Sequence, residues 1–143
     1  MSSPRTGGGG WSQQVKLVWV ALGGALGALM RYGLGKGLAD WNPHPSFSAG
    51  TLLANLIGCV LMGALVEVIG QMNQPHKDIL TAFILAGFLG SLTTFSTFIL
   101  EVFKLSQDGS LRLVLGHLGA HLGLGFFGLW LGYNLALRLS SPS

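Results

Sequence analysis

Four long stretches without a charged residue are the feature that most constrains this chain. They cover residues 17–30, 41–66, 79–100 and 113–137. A helix that crosses the hydrocarbon core of a bilayer needs about 20 mostly apolar residues. The last three stretches meet this length, and the first meets it if Lys16 and Arg31 extend their side chains to the interfaces. The sequence therefore predicts an all-α integral membrane protein with four transmembrane helices.

The helices are expected near residues 15–34, 49–70, 77–103 and 111–138, so one four-helix transmembrane domain covers residues 15–138. Residues 1–14 are polar and rich in glycine, and we expect a disordered N-terminal tail there. Residues 139–143 form a short C-terminal tail. A cleaved signal peptide is the alternative for the first stretch, but no clear A-x-A cleavage site follows it.

The composition excludes several classes of protein. Charged residues make up 9% of the chain, whereas soluble domains contain about 25%. The net charge of +3 has no Lys/Arg cluster behind it, so a nucleic-acid partner is not expected. The sequence contains no Ser-His-Asp ordering, carboxylate pair or phosphate loop, so we do not predict an enzyme.

The distribution of Lys and Arg gives no preferred orientation in the membrane. Arg5, Lys16, Lys77 and Arg138 fall on one side of a four-helix chain, and Arg31, Lys36, Lys104 and Arg112 fall on the other. Because an excess of positive charge normally fixes orientation, this balance predicts insertion both ways and an antiparallel, dual-topology homodimer. The alternative is a weak bias decided by Arg5 and the flexible tail.

Pairs of small residues four apart support close contacts between helices. They are Gly23/Gly27, Gly24/Ala28, Gly119/Gly123 and Gly128/Gly132. Such pairs are common in membrane proteins and do not indicate what is transported.

The third stretch contains five hydroxyl residues within seven positions, from Ser91 to Thr97. Glycines next to β-branched threonines make a poor helix core, so the helix is expected to break between Gly90 and Thr94, at mid-membrane. Irregular backbone at that depth is tolerated where it is buried in protein or lines a wet cavity. Freed carbonyls there suit a cation, and the start of the second half-helix suits an anion. Alternatively, the hydroxyls bond back to their own helix.

Other polar or aromatic residues in the spans are candidate site residues. Phe95 and Phe98 lie on one helical face, where positive ring edges suit an anion, although core packing or lipid contact is the alternative. Asn55 is either an interhelical clamp or a pore donor. His117 and His121 are one turn apart, with packing, a polar path and a metal site as the alternatives. Arg31 and Glu101 stand at span ends, where extension to the interface is the alternative.

These residues resemble the CrcB/Fluc fluoride channel family. The resemblance covers about residues 15–138 and is carried by three blocks: Gly24 to Tyr32, Gly50 to Gly58 with Asn55, and Gly87 to Phe98 followed by Glu101. It implies a dual-topology antiparallel homodimer with two fluoride pores. It also implies a central structural sodium ion, shared between subunits and held by the backbone carbonyls of Gly90 and Thr93.

The resemblance also assigns roles to side chains. It implies pore or fluoride-binding roles for Phe95, Phe98, Asn55, Ser96, Thr97, Thr94, His117, His121, Arg31 and Glu101. His121 departs from the family pattern, in which a serine is typical, and Ser91 replaces a frequent second glycine.

The implied function is a fluoride-selective ion channel that passively exports fluoride across the cell inner (plasma) membrane and lowers cytoplasmic fluoride. Fluoride gives up its water reluctantly, and amides, hydroxyls and ring edges can replace that shell. The alternatives are a small dual-topology multidrug exporter, which needs an embedded carboxylate that the first helix lacks, and a non-transporting membrane accessory protein.

Overall fold

A computed structural model describes residues 11–74 and 76–140, and the regular elements of this part are all helices. Helix α1 is Gln13–Gly37, and a short 3₁₀ turn follows at Ala39–Trp41. Helix α2 is Ala49–Gly70. The third span, His76–Gln107, consists of α3 (residues 76–92) and α4 (Phe95–Gln107), and the fourth span is α5 (Leu111–Ser140). Within the described residues four spans are long and apolar enough to cross a membrane, which confirms the predicted class.

The observed helices extend past the predicted boundaries at several ends. Helix α1 begins at Gln13, where the Ser12 side chain accepts a hydrogen bond from the amide of Val15 at 3.4 Å. Residues 1–10 of the predicted N-terminal tail and residues 141–143 of the C-terminal tail lie outside the described residues.

The predicted break in the third span is confirmed. Thr93 (φ −81°, ψ 152°) and Thr94 (φ −148°, ψ 115°) are both extended, between α3 and α4. Gly90 itself remains helical. The sequence did not predict two π-helical segments, Thr81–Leu89 within α3 and Ala120–Leu124 within α5.

Glycines bring the spans together in two pairs. A Cβ atom at Gly23 or Gly27 of α1 would overlap a carbonyl oxygen of α3, and one at Gly63 of α2 or Gly132 of α5 would overlap a carbonyl of the opposite helix. Helices α1 and α3 therefore pack backbone to backbone, as do α2 and α5. Gly119 instead faces open space, so the pair Gly119/Gly123 makes no close contact within the chain.

The core is small and most large apolar side chains lie on the outside. Ala54, Leu89 and Leu92 form the buried cluster between α2 and α3. Side chains such as Phe126 and Leu139 are 75% and 79% exposed. An outward apolar surface of this extent suits lipid or another protein rather than water.

Candidate functional site

The broken backbone of the third span is held by Asn55 of α2. The amide nitrogen of Thr94 donates to Asn55 Oδ1 at 2.8 Å, and Asn55 Nδ2 donates to the Thr94 carbonyl at 3.3 Å. Both backbone groups of an extended residue are thus paired, as an interior without water requires. These hydrogen bonds show the clamp that the sequence left as one of two alternatives.

The hydroxyl groups at the break have two different uses. Thr93 Oγ1 donates to the Leu89 carbonyl of its own helix at 3.0 Å, as the simpler alternative expects. Thr94 is instead the N-cap of α4: its Oγ1 accepts from the amide of Thr97 at 3.2 Å. Its hydroxyl also lies 3.0 Å from Thr97 Oγ1 and 3.3 Å from Ser96 Oγ. Three hydroxyl groups therefore lie together at the N-terminus of α4.

Two backbone carbonyls near the break lose their usual amide partners. In an α-helix the carbonyl of residue i accepts from the amide of residue i+4. The Thr94 amide, the usual partner of the Gly90 carbonyl, donates to Asn55. The Thr97 amide, the usual partner of the Thr93 carbonyl, donates to the Thr94 side chain. The carbonyls of Gly90 and Thr93 are thus released from the helical ladder.

A cavity of about 280 Å³ opens beside the break. No Asp, Glu, Lys or Arg lines it within the described residues. Its lining includes Asn55, Gly58, Cys59, Met62, Thr93, Thr94, Phe95, Phe98 and His121. The cavity therefore brings together polar groups from α2, the break and α5 with the rings of α4.

The two phenylalanines of α4 have different surroundings although they lie on one helical face. Phe95 is 73% exposed on the single chain, whereas Phe98 is 4% exposed. Their ring centroids are 5.9 Å apart. Phe98 stacks on His121 at 4.5 Å and lies 5.5 Å from His117. The structure therefore places Phe98 in a ring cluster and Phe95 at the edge of the cavity.

Glu101 is buried rather than extended toward an interface. It is 7% exposed, and Thr51 of α2 donates a hydrogen bond to its Oε1 at 2.7 Å. Its Oε2 lies 3.0 Å from Nε2 of His117, a fully buried residue of α5. No sequence pattern links Glu101 to the two histidines; packing of α4 against α5 brings Glu101 to His117.

Four polar atoms of this cluster are buried and have no aligned hydrogen-bond partner within the described residues: Glu101 Oε2, His117 Nδ1, His117 Nε2 and His121 Nε2. His121 Nδ1 lies 3.3 Å from the His117 carbonyl. Among the described residues, no three His, Cys, Asp or Glu side chains are grouped to hold a metal ion.

Phe47 is a residue of this region that the sequence analysis did not identify. Its ring meets that of His117 edge-on, with centroids 4.5 Å apart. The loop before α2 holds it: the Phe47 amide donates to the His44 carbonyl at 2.9 Å, and Ser46 Oγ donates to Asp108 Oδ2 at 2.9 Å. A contact across 70 positions has no signal in a local pattern.

Arg31, by contrast, is half-buried on α1 and does not line the cavity.

The fold and this site define a small multi-pass α-helical membrane protein with an interrupted span beside a largely apolar cavity that a few polar groups line. Residues 18–133 match the family described as "CrcB-like protein, Camphor Resistance (CrcB)". The chain belongs to this CrcB family.

Relatives of known name carry the match over most of their length. A protein of Salinibacter ruber is 43% identical over 125 residues, which cover 87% of this chain and 92% of the relative. A protein of Acidobacterium capsulatum is 38% identical over 128 residues, covering 87% and 98%. One of Nitratidesulfovibrio vulgaris is 40% identical over 117 residues, covering 82% and 93%. All three are named fluoride-specific ion channel FluC.

Proposed function

We propose that this protein is a fluoride-selective ion channel that passively exports fluoride and so lowers cytoplasmic fluoride. The observation that carries the proposal is the interrupted third span, where the N-terminus of α4 lies beside a cavity lined by Asn55 and Thr94. The Thr94 hydroxyl contacts those of Ser96 and Thr97. A helix N-terminus favours an anion because its first amides and the helix dipole present positive charge. The relatives are named fluoride-specific ion channels, and these names support the same function.

The lining suits fluoride in particular because this ion is small and strongly hydrated. Hydroxyls, amides and the positive edges of Phe95 and Phe98 replace lost water at close range. The absence of Lys and Arg from the described lining keeps the ion from being held too tightly to leave. The proposed path runs along Asn55, Thr94, Ser96, Thr97 and the two rings. We assign four further residues to the two ends of this path: His117, His121, Glu101 and Arg31.

The functional unit is an antiparallel homodimer with the two copies inserted in opposite directions. A single chain leaves its cavity open, with Phe95 and Gly90 exposed, so a second copy is needed to close the path. The balance of Lys and Arg supports opposite insertion. For passive export out of the cytoplasm, the channel would lie in the cell inner (plasma) membrane.

A sodium ion between the two copies fits the released carbonyls. Gly90 is exposed on the outer face of the chain, and the carbonyls of Gly90 and Thr93 lack their helical amide partners. Carbonyl oxygens are the ligands that hard cations prefer. A bound sodium ion would supply positive charge that stabilises the broken helices of both copies.

A multidrug exporter is the second candidate, because one observation favours it. Such a protein needs a carboxylate inside the membrane, and Glu101 is buried within the third span. The bond from Thr51 and the neighbouring His117 ring occupy that carboxyl, however, which leaves little room for a bulky cation.

One assay separates these functions. The purified protein is reconstituted into liposomes loaded with potassium fluoride or potassium chloride, and efflux is followed after valinomycin is added. We expect rapid fluoride efflux and no chloride efflux above that of empty liposomes. Uptake of a cationic drug driven by a proton gradient, without fluoride efflux, would support the exporter. The absence of both activities would support an accessory protein.

A further inference from the structure

One contact of the His121 ring indicates its tautomer. Its Nδ1 lies 3.3 Å from the His117 carbonyl. A carbonyl oxygen can only accept, so Nδ1 carries the proton in that contact. In the neutral ring Nε2 is then a lone-pair acceptor. This atom is buried and has no partner among the described residues.

The charges around His121 do not favour an anion while both imidazoles are neutral. Titratable groups come from three elements around His121. Helix α2 contributes Cys59, α5 contributes His117, and α4 contributes Glu101, which lies beside His117. The break contributes Thr93 and Thr94, which do not titrate in this range. With Glu101 ionised, the cluster carries one net negative charge. An approaching anion therefore meets a negative charge and a lone pair.

One added proton reverses this situation. It neutralises the net charge of the cluster and converts an imidazole lone pair into an N–H donor. His121 is the histidine of the pair that lines the cavity, so it brings this donor to the ion path. We infer that the His117–His121 pair is a proton-binding site, and that fluoride passes His121 only when the pair holds a proton. The inference rests on the proposed channel function and deepens it.

The expected dependence on pH has a definite sign and slope. Since one proton is required, the current should rise as pH falls. Above the titration midpoint the protonated fraction changes about tenfold per pH unit, because one group binds one proton. Such a channel conducts best when the medium is acidic, which is when fluoride enters cells as its neutral acid.

Electrical recording tests the site, because neutral hydrogen fluoride carries no current. Fluoride current per channel is measured in planar bilayers between about pH 5 and about pH 8, which covers the ordinary range of histidine. His121→Gln keeps an amide donor and cannot titrate. We expect a current that falls by at least about tenfold in the wild type over this range and a nearly constant current in His121→Gln.

Controls make the outcomes distinguishable. His76→Gln removes an exposed histidine outside the cavity, at the start of α3, and should keep the wild-type pH profile. Size-exclusion chromatography checks that each variant remains folded. A wild-type current that does not change with pH would overturn the proton site while leaving the channel standing. A pH profile that persists in His121→Gln would also overturn it. No fluoride current at any pH would defeat the channel function itself.

Discussion

Replacing Asn55 with leucine tests the link between the helix break and the cavity. Leucine has the branched shape of asparagine and is somewhat larger, but its side chain forms no hydrogen bonds. The change removes Asn55 Oδ1, which accepts from the Thr94 amide at 2.8 Å. It also removes Asn55 Nδ2, which donates to the Thr94 carbonyl at 3.3 Å. Thr94 is 8% exposed, so water does not readily replace either bond.

The magnitude follows from two backbone groups left unpaired. Each such group costs about 1–3 kcal/mol when it is buried, and hydrogen bonds between membrane helices average about 0.6 kcal/mol. Two groups together give a destabilisation between about 1 and about 6 kcal/mol. Since 1.4 kcal/mol corresponds to a factor of about ten in an equilibrium constant, even the lower end should be measurable.

The assay combines stability with transport. The free energy of unfolding is measured by denaturant titration in detergent, and fluoride efflux is measured per folded protein in liposomes. Asn134→Leu is the matched control, because among the described residues Asn134 Nδ2 donates only to the Trp130 carbonyl one turn earlier in its own helix. We expect Asn55→Leu to lose both stability and efflux, and Asn134→Leu to change the free energy by no more than about 0.5 kcal/mol. If Asn55→Leu has the same free energy of unfolding and the same fluoride efflux as the wild type, the clamp argument is refuted.

Three further changes test other parts of the proposal. Phe98→Ile keeps most of the buried apolar volume, so the variant should stay folded, yet it should reduce fluoride efflux by a large factor, because alkyl groups offer no positive edge. Efflux equal to wild type from well-folded Phe98→Ile and Phe95→Ile would eliminate the ring-edge mechanism. Several lysines added to the 71–74 loop should force one orientation and abolish efflux, and an oppositely biased copy should restore it; full activity from the one-way copy alone would argue against opposite insertion. Gly90→Ala fits within the chain, since the nearest atom to an added Cβ is the Leu85 carbonyl oxygen at 3.7 Å. If Gly90→Ala loses the dimer or its dependence on sodium, the cause therefore lies in the contact with the second copy or with the ion. An unchanged dimer that conducts equally well after sodium is removed would argue against the cation site.

Local sequence properties were sufficient for the spans and for the break. Whether a segment is apolar enough to cross a membrane depends on its own residues, so the four spans could be predicted to within a few positions. The interruption at Thr93 and Thr94 was predictable for the same reason, because glycines and adjacent β-branched threonines disfavour a helix wherever they occur. The close contacts of Gly23 and Gly27 were also read correctly, although the partner helix could not be named.

The surroundings of the site were decided by packing between distant segments. Glu101 and Thr51 are 50 positions apart, and Asn55 and Thr94 are 39 apart. A helical pattern reports which residues share a face, but not which helix that face meets. For this reason Phe95 and Phe98 could not be distinguished from the sequence. The fold buries Phe98 against two histidines and leaves Phe95 exposed.

The sequence by itself determined that this protein crosses the membrane four times and where its third span is interrupted, because hydropathy and backbone preference act over a few neighbouring residues. Only the tertiary structure decided that Asn55 pairs with the interrupted backbone, that Glu101 reaches His117 and that Phe47 covers the same ring. These contacts join different segments of the chain, and packing decides which side chains meet. Glycines contribute to that packing because they let α1 approach α3 and α2 approach α5 at backbone distance.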